Sequence, residues 1–309
     1  MNIKKEYGKI LSSDGIHNIN YFYVYPDMPK GIVQIEHGIA EHIERYNEIA
    51  YKLAESGYAV FADDHLGHGK SVEKEDEICW FADKNGWDKV CNDVGKLMSI
   101  AKEKFPDIPF ILMGHSMGSF IARTFAIDHS KDIDALVISG TGYQPGFMIT
   151  GGKLISGIEK LLIGSKGKSK VIDAVEFSGY RKAFKPNRTN YDWLTRDESV
   201  VDAYIADPMC GCDVSVGLFR DMLSGLDYIR KPKNVAKIRK DLPIYMFSGT
   251  KDPVGQMEAG VKKVYEIFKS VGIQDVSLKL YEDGRHEMLN GPDKAKVTEN
   301  LVAWLNRII

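Results

Sequence analysis

The stretch Pro109-Phe-Ile-Leu-Met-Gly-His-Ser-Met-Gly-Ser-Phe-Ile-Ala-Arg123 decides how the rest of the 309-residue chain is read. Residues 110–113 form a short apolar run, Gly114 to Gly118 spell Gly-x-Ser-x-Gly, and residues 119–129 have a helical pattern. Strand, sharp turn and helix follow one another without a gap. Small residues flanking the serine let the backbone reverse tightly, so Gly114 and Gly118 permit a strained turn that lifts the Ser116 hydroxyl clear of a sheet. The helix then begins under the serine, its free N–H groups and positive dipole end aimed at any oxyanion formed there. The pattern alone carries little, and its position between strand and helix carries the reading.

Outward from this turn, apolar strands at residues 31–37, 58–62, 135–139, 243–248 and 276–281 alternate with helical patterns at 43–56, 87–105, 257–271 and about 293–307. Residues 6–12 and 18–25, separated by Ser13-Asp14-Gly15, read as an antiparallel hairpin. Such alternation predicts an α/β fold with a mostly parallel central sheet, helices on both faces and catalytic groups at the strands' C-terminal ends. The rhythm fails between about residues 142 and 226, which read as an inserted, mainly helical lid. The expected organisation is therefore a core at 1–143, a lid at 144–226 and the rest of the core at 227–309. Within the lid, Leu154, Ile158, Leu161 and Leu162 fall at helical spacing beside Phe147, Met148 and Ile149. The stripe either packs onto the core or forms an apolar wall for an acyl chain, which makes Phe147, Met148, Ile149, Leu154 and Ile158 the pocket candidates.

Lys plus Arg total 41 against 43 for Asp plus Glu, leaving no basic excess to neutralise phosphates and arguing against a nucleic-acid partner. Residues 1–7 contain no apolar signal core, and no apolar run approaches the length of a membrane span, so the expected location is cytoplasmic. Cys79, Cys91, Cys210 and Cys212 are too few and too scattered for a disulfide framework, and free thiols are expected.

A serine hydroxyl needs an imidazole to take its proton, and the imidazole needs a carboxylate to fix its tautomer. In a strand-turn-helix arrangement the acid and then the histidine follow the serine, which leaves His129 and His286. His129 rides the elbow helix more than three turns away, so His286, in the polar loop Tyr281-Glu-Asp-Gly-Arg-His-Glu287, is the candidate. For the acid, Asp252 follows the strand at 243–248 and can fix the imidazole from a separate direction. Asp283 is its rival, three residues before His286, where capping of a local turn suits it better. Oxyanion donors are expected from the backbone N–H groups of Met117 and Ile39.

Competing motifs are incomplete. Gly-Lys-Ser at Gly69 and Gly167 lacks the upstream glycine of a phosphate loop, with Asp64 and Leu162 in its place, and Pro145 interrupts the dinucleotide-like run from Ser139. Asp63, Asp64, His65 and His68 could suggest a metal, but the glycines around them favour a tight structural loop with histidines bonded to backbone. No metal and no cofactor are expected.

His37-Gly-Ile-Ala-Glu-His-Ile-Glu-Arg-Tyr46, Asp64-His-Leu-Gly-His-Gly-Lys-Ser71, Gly114-His-Ser-Met-Gly118, Ser248-Gly-Thr-Lys-Asp-Pro253 and Gly284-Arg-His-Glu287 together resemble the monoacylglycerol lipase and lysophospholipase branch of the α/β-hydrolase fold, often catalogued with the serine aminopeptidases. The resemblance implies a serine hydrolase with Ser116 as nucleophile, Asp252 as acid, His286 as base, and the Ile39 and Met117 N–H groups as oxyanion hole. It also implies a small-molecule ester substrate with an apolar acyl group. Leu66 replaces the family's usual arginine and Ser119 its usual second glycine, and Asp207-Pro-Met-Cys-Gly-Cys-Asp213 is similar to a recurrent lid segment. An amidase or aminopeptidase could use the same groups, with Glu176, Asp192 or Asp197 as amine anchor. A binding protein on the same fold is the non-enzymatic alternative.

Overall fold

The computed structural model describes residues 2–309, apart from the side chains of residues 175–177. Its eight strands are β1 (Ile3–Leu11), β2 (Asn18–Pro26), β3 (Gly31–Glu36), β4 (Tyr58–Asp63), β5 (Phe110–His115), β6 (Ala135–Ser139), β7 (Ile244–Gly249) and β8 (Val276–Tyr281), in the order β1-β2-β4-β3-β5-β6-β7-β8. β1 and β2 form the expected antiparallel hairpin, β2 joins β4 antiparallel, and every later pairing is parallel. β3 to β7 are buried along their whole length, as strands covered on both faces must be.

Side-chain alternation divides the core into two layers. Val33, Ile35, Val60, Ala62, Ile111 and Met113 pack beneath α1 (Asn47–Glu55) and the C-terminal helix at Lys294–Ile308. Ile32, Phe61, Phe110, Leu112 and Leu136 meet the opposite layer, built from α2 (Gly86–Lys104), α3 (Met117–His129) and the helix at Ala259–Ser270. The expected helix at residue 43 opens as a 3-10 turn over Ile43–Tyr46 before α1 takes over.

Between β6 and β7 the described residues contain no strand belonging to the sheet. α4 (Gly146–Ile163), α5 (Lys170–Lys182), α6 (Glu198–Ala206), α7 (Val216–Ile229) and the short α8 (Pro232–Val235) fill the interval, followed by α9 (Ala259–Ser270) and α10 (Lys294–Ile308). The expected lid boundary at residue 226 falls inside α7, which packs against α2 and α3 of the core as well as against α4.

The expectation of four free thiols is corrected. Cys79 and Cys212 form a disulfide across a sequence separation of 133, leaving Cys91 and Cys210 free. Spacing along the chain could not reveal it, because the approach depends on the insert folding back over the loop that follows β4.

Two measurements test this architecture. A Cβ at Gly118 would come within 2.0 Å of the Glu36 carbonyl oxygen, so Gly118→Ala should destabilise the protein by about 2 kcal/mol or more, read from the denaturant midpoint. Thiol titration of unreduced, denatured protein should count only Cys91 and Cys210.

Candidate active site

β5 delivers the chain to Ser116, which caps α3 with φ 53° and ψ −120°, a left-handed conformation that L residues adopt only under local constraint. Three contacts supply that constraint. The Ser116 N–H donates to the Ser139 carbonyl at 3.0 Å, the Ser119 hydroxyl donates to the Ser116 carbonyl at 2.5 Å, and a Cβ at Gly114 would meet the Gly118 carbonyl oxygen at 2.2 Å. Ser119, the departure from the family's glycine, thus braces the turn. Leu66, the other departure, is buried in the core where an arginine would need a partner.

Asp252 follows β7 and is completely buried. Its carboxylate accepts from the Ser248 hydroxyl at 2.9 Å, the Val254 N–H at 2.9 Å and His286 Nδ1 at 3.0 and 3.1 Å. Since Nδ1 is committed to the acid, Nε2 is the nitrogen left for a serine proton. Burial opposes charge on His286, but the Asp252 charge and hydrogen bond outweigh it and raise the imidazole's pKa. Burial likewise pushes Asp252 up, and its pairing with His286 brings it below the usual carboxylate range. The Trp193 and His115 rings lie 5.2 and 4.7 Å from the His286 ring. Burial, and then the neighbouring His286, push His115 down to about 4, so it stands beside the base as a neutral ring.

The other candidates are placed elsewhere. Asp283 is half-exposed and pairs with Lys251 at 2.5 Å, and His129 pairs with Asp132 on the surface. Asp192 accepts from the Arg188 and Thr189 N–H groups and Asp197 caps α6, while Glu176 lies outside the described side chains. His65 Nε2 donates to the His37 carbonyl at 3.2 Å and His68 Nδ1 to the Leu66 carbonyl at 3.0 Å, so both histidines are bonded to backbone.

Ser116, Ile39 and Trp193 stand where two recesses meet. One carries the charged and polar side chains Glu41, Asp173, Arg181, Asn190, Asp213 and Glu287 in its wall, alongside apolar ones such as Leu194 and Val214; the other is largely apolar, with Met117, Phe120, Tyr180, Met222, Leu226 and Val254. None of the α4 candidates lines either recess. Phe147 (78% exposed), Met148 (52%), Leu154 (67%) and Ile158 (53%) face outward, and Ile149 is buried in the core. The apolar stripe is real, but its exposed face points to solvent. Trp193, Tyr180 and Met222 carried no sequence signal, because the insert has no strand register to place them.

A buried charge network surrounds the loop after β3. Glu41 accepts from the Gly38 N–H at 2.6 Å and the Tyr46 hydroxyl at 2.8 Å, and also pairs with Arg45. Arg45 reaches on to both carboxylate oxygens of Glu287, at 2.7 and 2.6 Å, next to His286 in sequence. The insert between β6 and β7 is tied to the same loop, as the Gly211 N–H and the Tyr204 hydroxyl both donate to the Ala40 carbonyl, at 2.9 and 2.8 Å. Glu41, Arg45 and Glu287 lay inside recognisable motifs, yet nothing in their spacing showed that they touch.

The chain is similar in sequence and fold to known proteins. Residues 27–293 match the family described as serine aminopeptidase, S33. A monoacylglycerol lipase of Mycolicibacterium smegmatis is 28% identical over 279 residues, covering 90% of this chain and 88% of that one. The monoglyceride lipase of Mus musculus is 26% identical, covering 90% of this chain and 82% of its own. The crystal structure of a thermostable carboxyl esterase from Bacillus coagulans in complex with glycerol superposes with a TM-score of 0.90 at 28% identity, covering 100% of this chain and 99% of that one. With eight strands in hydrolase order and a serine elbow at their centre, the chain belongs to the serine aminopeptidase S33 family and is an ester hydrolase of the α/β-hydrolase fold.

Proposed function

We propose that the enzyme hydrolyses monoacylglycerols or similar small esters with an apolar acyl group, through an acyl intermediate on Ser116. The observation that carries this is the meeting at Ser116 of a largely apolar recess and one with charged side chains in its wall, beside a histidine held by a buried aspartate. The acyl chain enters the Met117, Phe120 and Leu226 side, and the alcohol lies toward Asn190 and Arg181. His286 takes the Ser116 proton as the hydroxyl attacks the ester carbonyl, and the Ile39 and Met117 N–H groups stabilise the oxyanion. The imidazolium, stabilised by Asp252, then protonates the departing alcohol, and water attacks the acyl-enzyme by the same route in reverse. These steps use only this chain's own groups.

Residues of the expected lid, 144–226, supply both recesses through Tyr180, Arg181, Asn190, Trp193 and Met222. The relatives named as monoacylglycerol and monoglyceride lipases support the substrate class. Among the described residues no helix is long and apolar enough to cross a membrane, and a cytoplasmic location is part of the proposal. An aminopeptidase would need a carboxylate to hold the substrate's free amine, and Asp173 and Asp213, in the recess with the charged side chains, are among the groups that could do so.

Initial rates on p-nitrophenyl esters from acetate to palmitate, with 1-monoacylglycerols and aminoacyl anilides, test the reading. Ser116→Ala should lower ester turnover by about 10⁴-fold or more, since the covalent route is gone. Cleavage of anilides alone would transfer the assignment to an aminopeptidase. His286 must be neutral to accept the proton, so kcat/KM should fall about tenfold per pH unit below the raised imidazole pKa. Asp252→Asn should move that acid limb to lower pH while reducing kcat by about 10⁴-fold. Arg45→Ala leaves the Glu41 and Glu287 carboxylates buried without their cation, and should cost about 3 kcal/mol of stability together with a fall in kcat.

A further inference from the structure

We propose that Glu36, Asp63 and His65 bind a divalent first-row cation, zinc being the one tested first, beneath the strand ends that lead into the oxyanion loop. Glu36 is the last residue of β3 and Asp63 the last of β4, paired directly across the parallel ladder with side chains on one face. His65 follows two residues later. Their exposures are 0, 2 and 1%. Two carboxylates side by side in such a setting must either share a proton or be met by positive charge. Among the described residues no lysine or arginine pairs with either of them, and the imidazole is the sole partner within ion-pair distance.

The donor atoms are arranged as a ligand set. His65 Nδ1 stands 3.7 Å from Glu36 Oε2 and 3.6 Å from Asp63 Oδ2, and one donor atom from each of the three residues lies within 4.8 Å of the others. These N···O separations exceed a normal hydrogen bond and approach the edge of about 3.4 Å between ligands that each stand about 2.1 Å from a tetrahedral ion. The supporting contacts agree. His65 Nε2 donates to the His37 carbonyl, which turns Nδ1 toward the carboxylates, where a cation would displace any proton it carries. Gln34 holds the other Glu36 oxygen at 2.8 Å. Glu36 Oε2, Asp63 Oδ1 and Gln34 Oε1 are all buried without a hydrogen-bond partner. An orphaned oxygen on each of the two carboxylates is what a shared cation would satisfy. Two carboxylates with one imidazole suit zinc or manganese rather than the oxygen-only sets preferred by calcium and magnesium. The other grouping of possible ligands, His42, Asp207 and Cys210, is already closed by a 2.8 Å hydrogen bond between His42 and Asp207.

The experiment measures metal rather than catalysis. Protein expressed with zinc and purified without chelator or metal resin is assayed by elemental mass spectrometry, stripped with dipicolinate, and melted with and without added Zn²⁺. The expected result is about one zinc per chain, and a melting temperature for stripped protein that Zn²⁺ raises by about 4 °C or more and Mg²⁺ does not. Glu36→Gln and Asp63→Asn should each lower the zinc content to below about a tenth of an equivalent, while Cys210→Ser keeps it. Metal-free protein that melts identically with and without Zn²⁺ would overturn the proposal, as would full zinc content in Glu36→Gln. If the variants do not fold, the metal content and zinc response of the unaltered chain decide alone.

Discussion

The guanidinium of Arg45, buried between Glu41 and Glu287, is the interaction on which the site's geometry depends. Through Glu41 it reaches the Gly38 N–H and so sets the loop that carries Ile39; through Glu287 it reaches the residue beside His286. The two ends of the chain's catalytic apparatus, 242 residues apart between Arg45 and Glu287, are thereby fixed by one planar cation with bidentate geometry. A lysine could not span both acids in this way. Burying these charges is costly, and the cost is offset only because every partner is satisfied, with Tyr46 completing Glu41 and the Tyr204 ring lying 4.9 Å from the guanidinium.

The strained elbow shows the same economy of parts. Ser116 holds a left-handed backbone because the Ser139 carbonyl, the Ser119 hydroxyl and the close passage of Gly114 against Gly118 leave no other path. The contacts come from β6, from α3 and from the approach of β5 to α3. The nucleophile is thus positioned by the packing of the whole sheet, and the loop around it only transmits that order.

Much of this was legible beforehand, because parallel strands buried on both faces must be short apolar runs. The expected bounds of β6 and β8 coincide with the observed ones, and the elbow was readable from glycines whose spacing has a steric reason. What sequence could not convey was who faces whom across the fold. Periodicity on α4 showed which residues share a face, but not that Leu154 and Ile158 face water while Tyr180 and Met222 face the serine. The Cys79–Cys212 bridge was hidden for the same reason, since neither spacing nor composition encodes an approach across 133 residues. Glu36 offered a clue of another kind: a carboxylate closing a strand that is otherwise apolar apart from Gln34 breaks the pattern that made the strand readable.

The hydrogen bonds of the histidine loop have a mechanical consequence. Glu287 N–H donates to the Leu194 carbonyl at 2.7 Å, and Arg285 reaches the Asp192 and Thr195 carbonyls, so the stretch from 192 to 195 is welded to the loop bearing His286. The segment from 204 to 212 is likewise tied to the Ala40 carbonyl and, through the disulfide, to Cys79. A displacement of either stretch would therefore pull on the loop bearing His286 or on the loop bearing Ile39, so these parts of the insert and the catalytic loops hold together as one body.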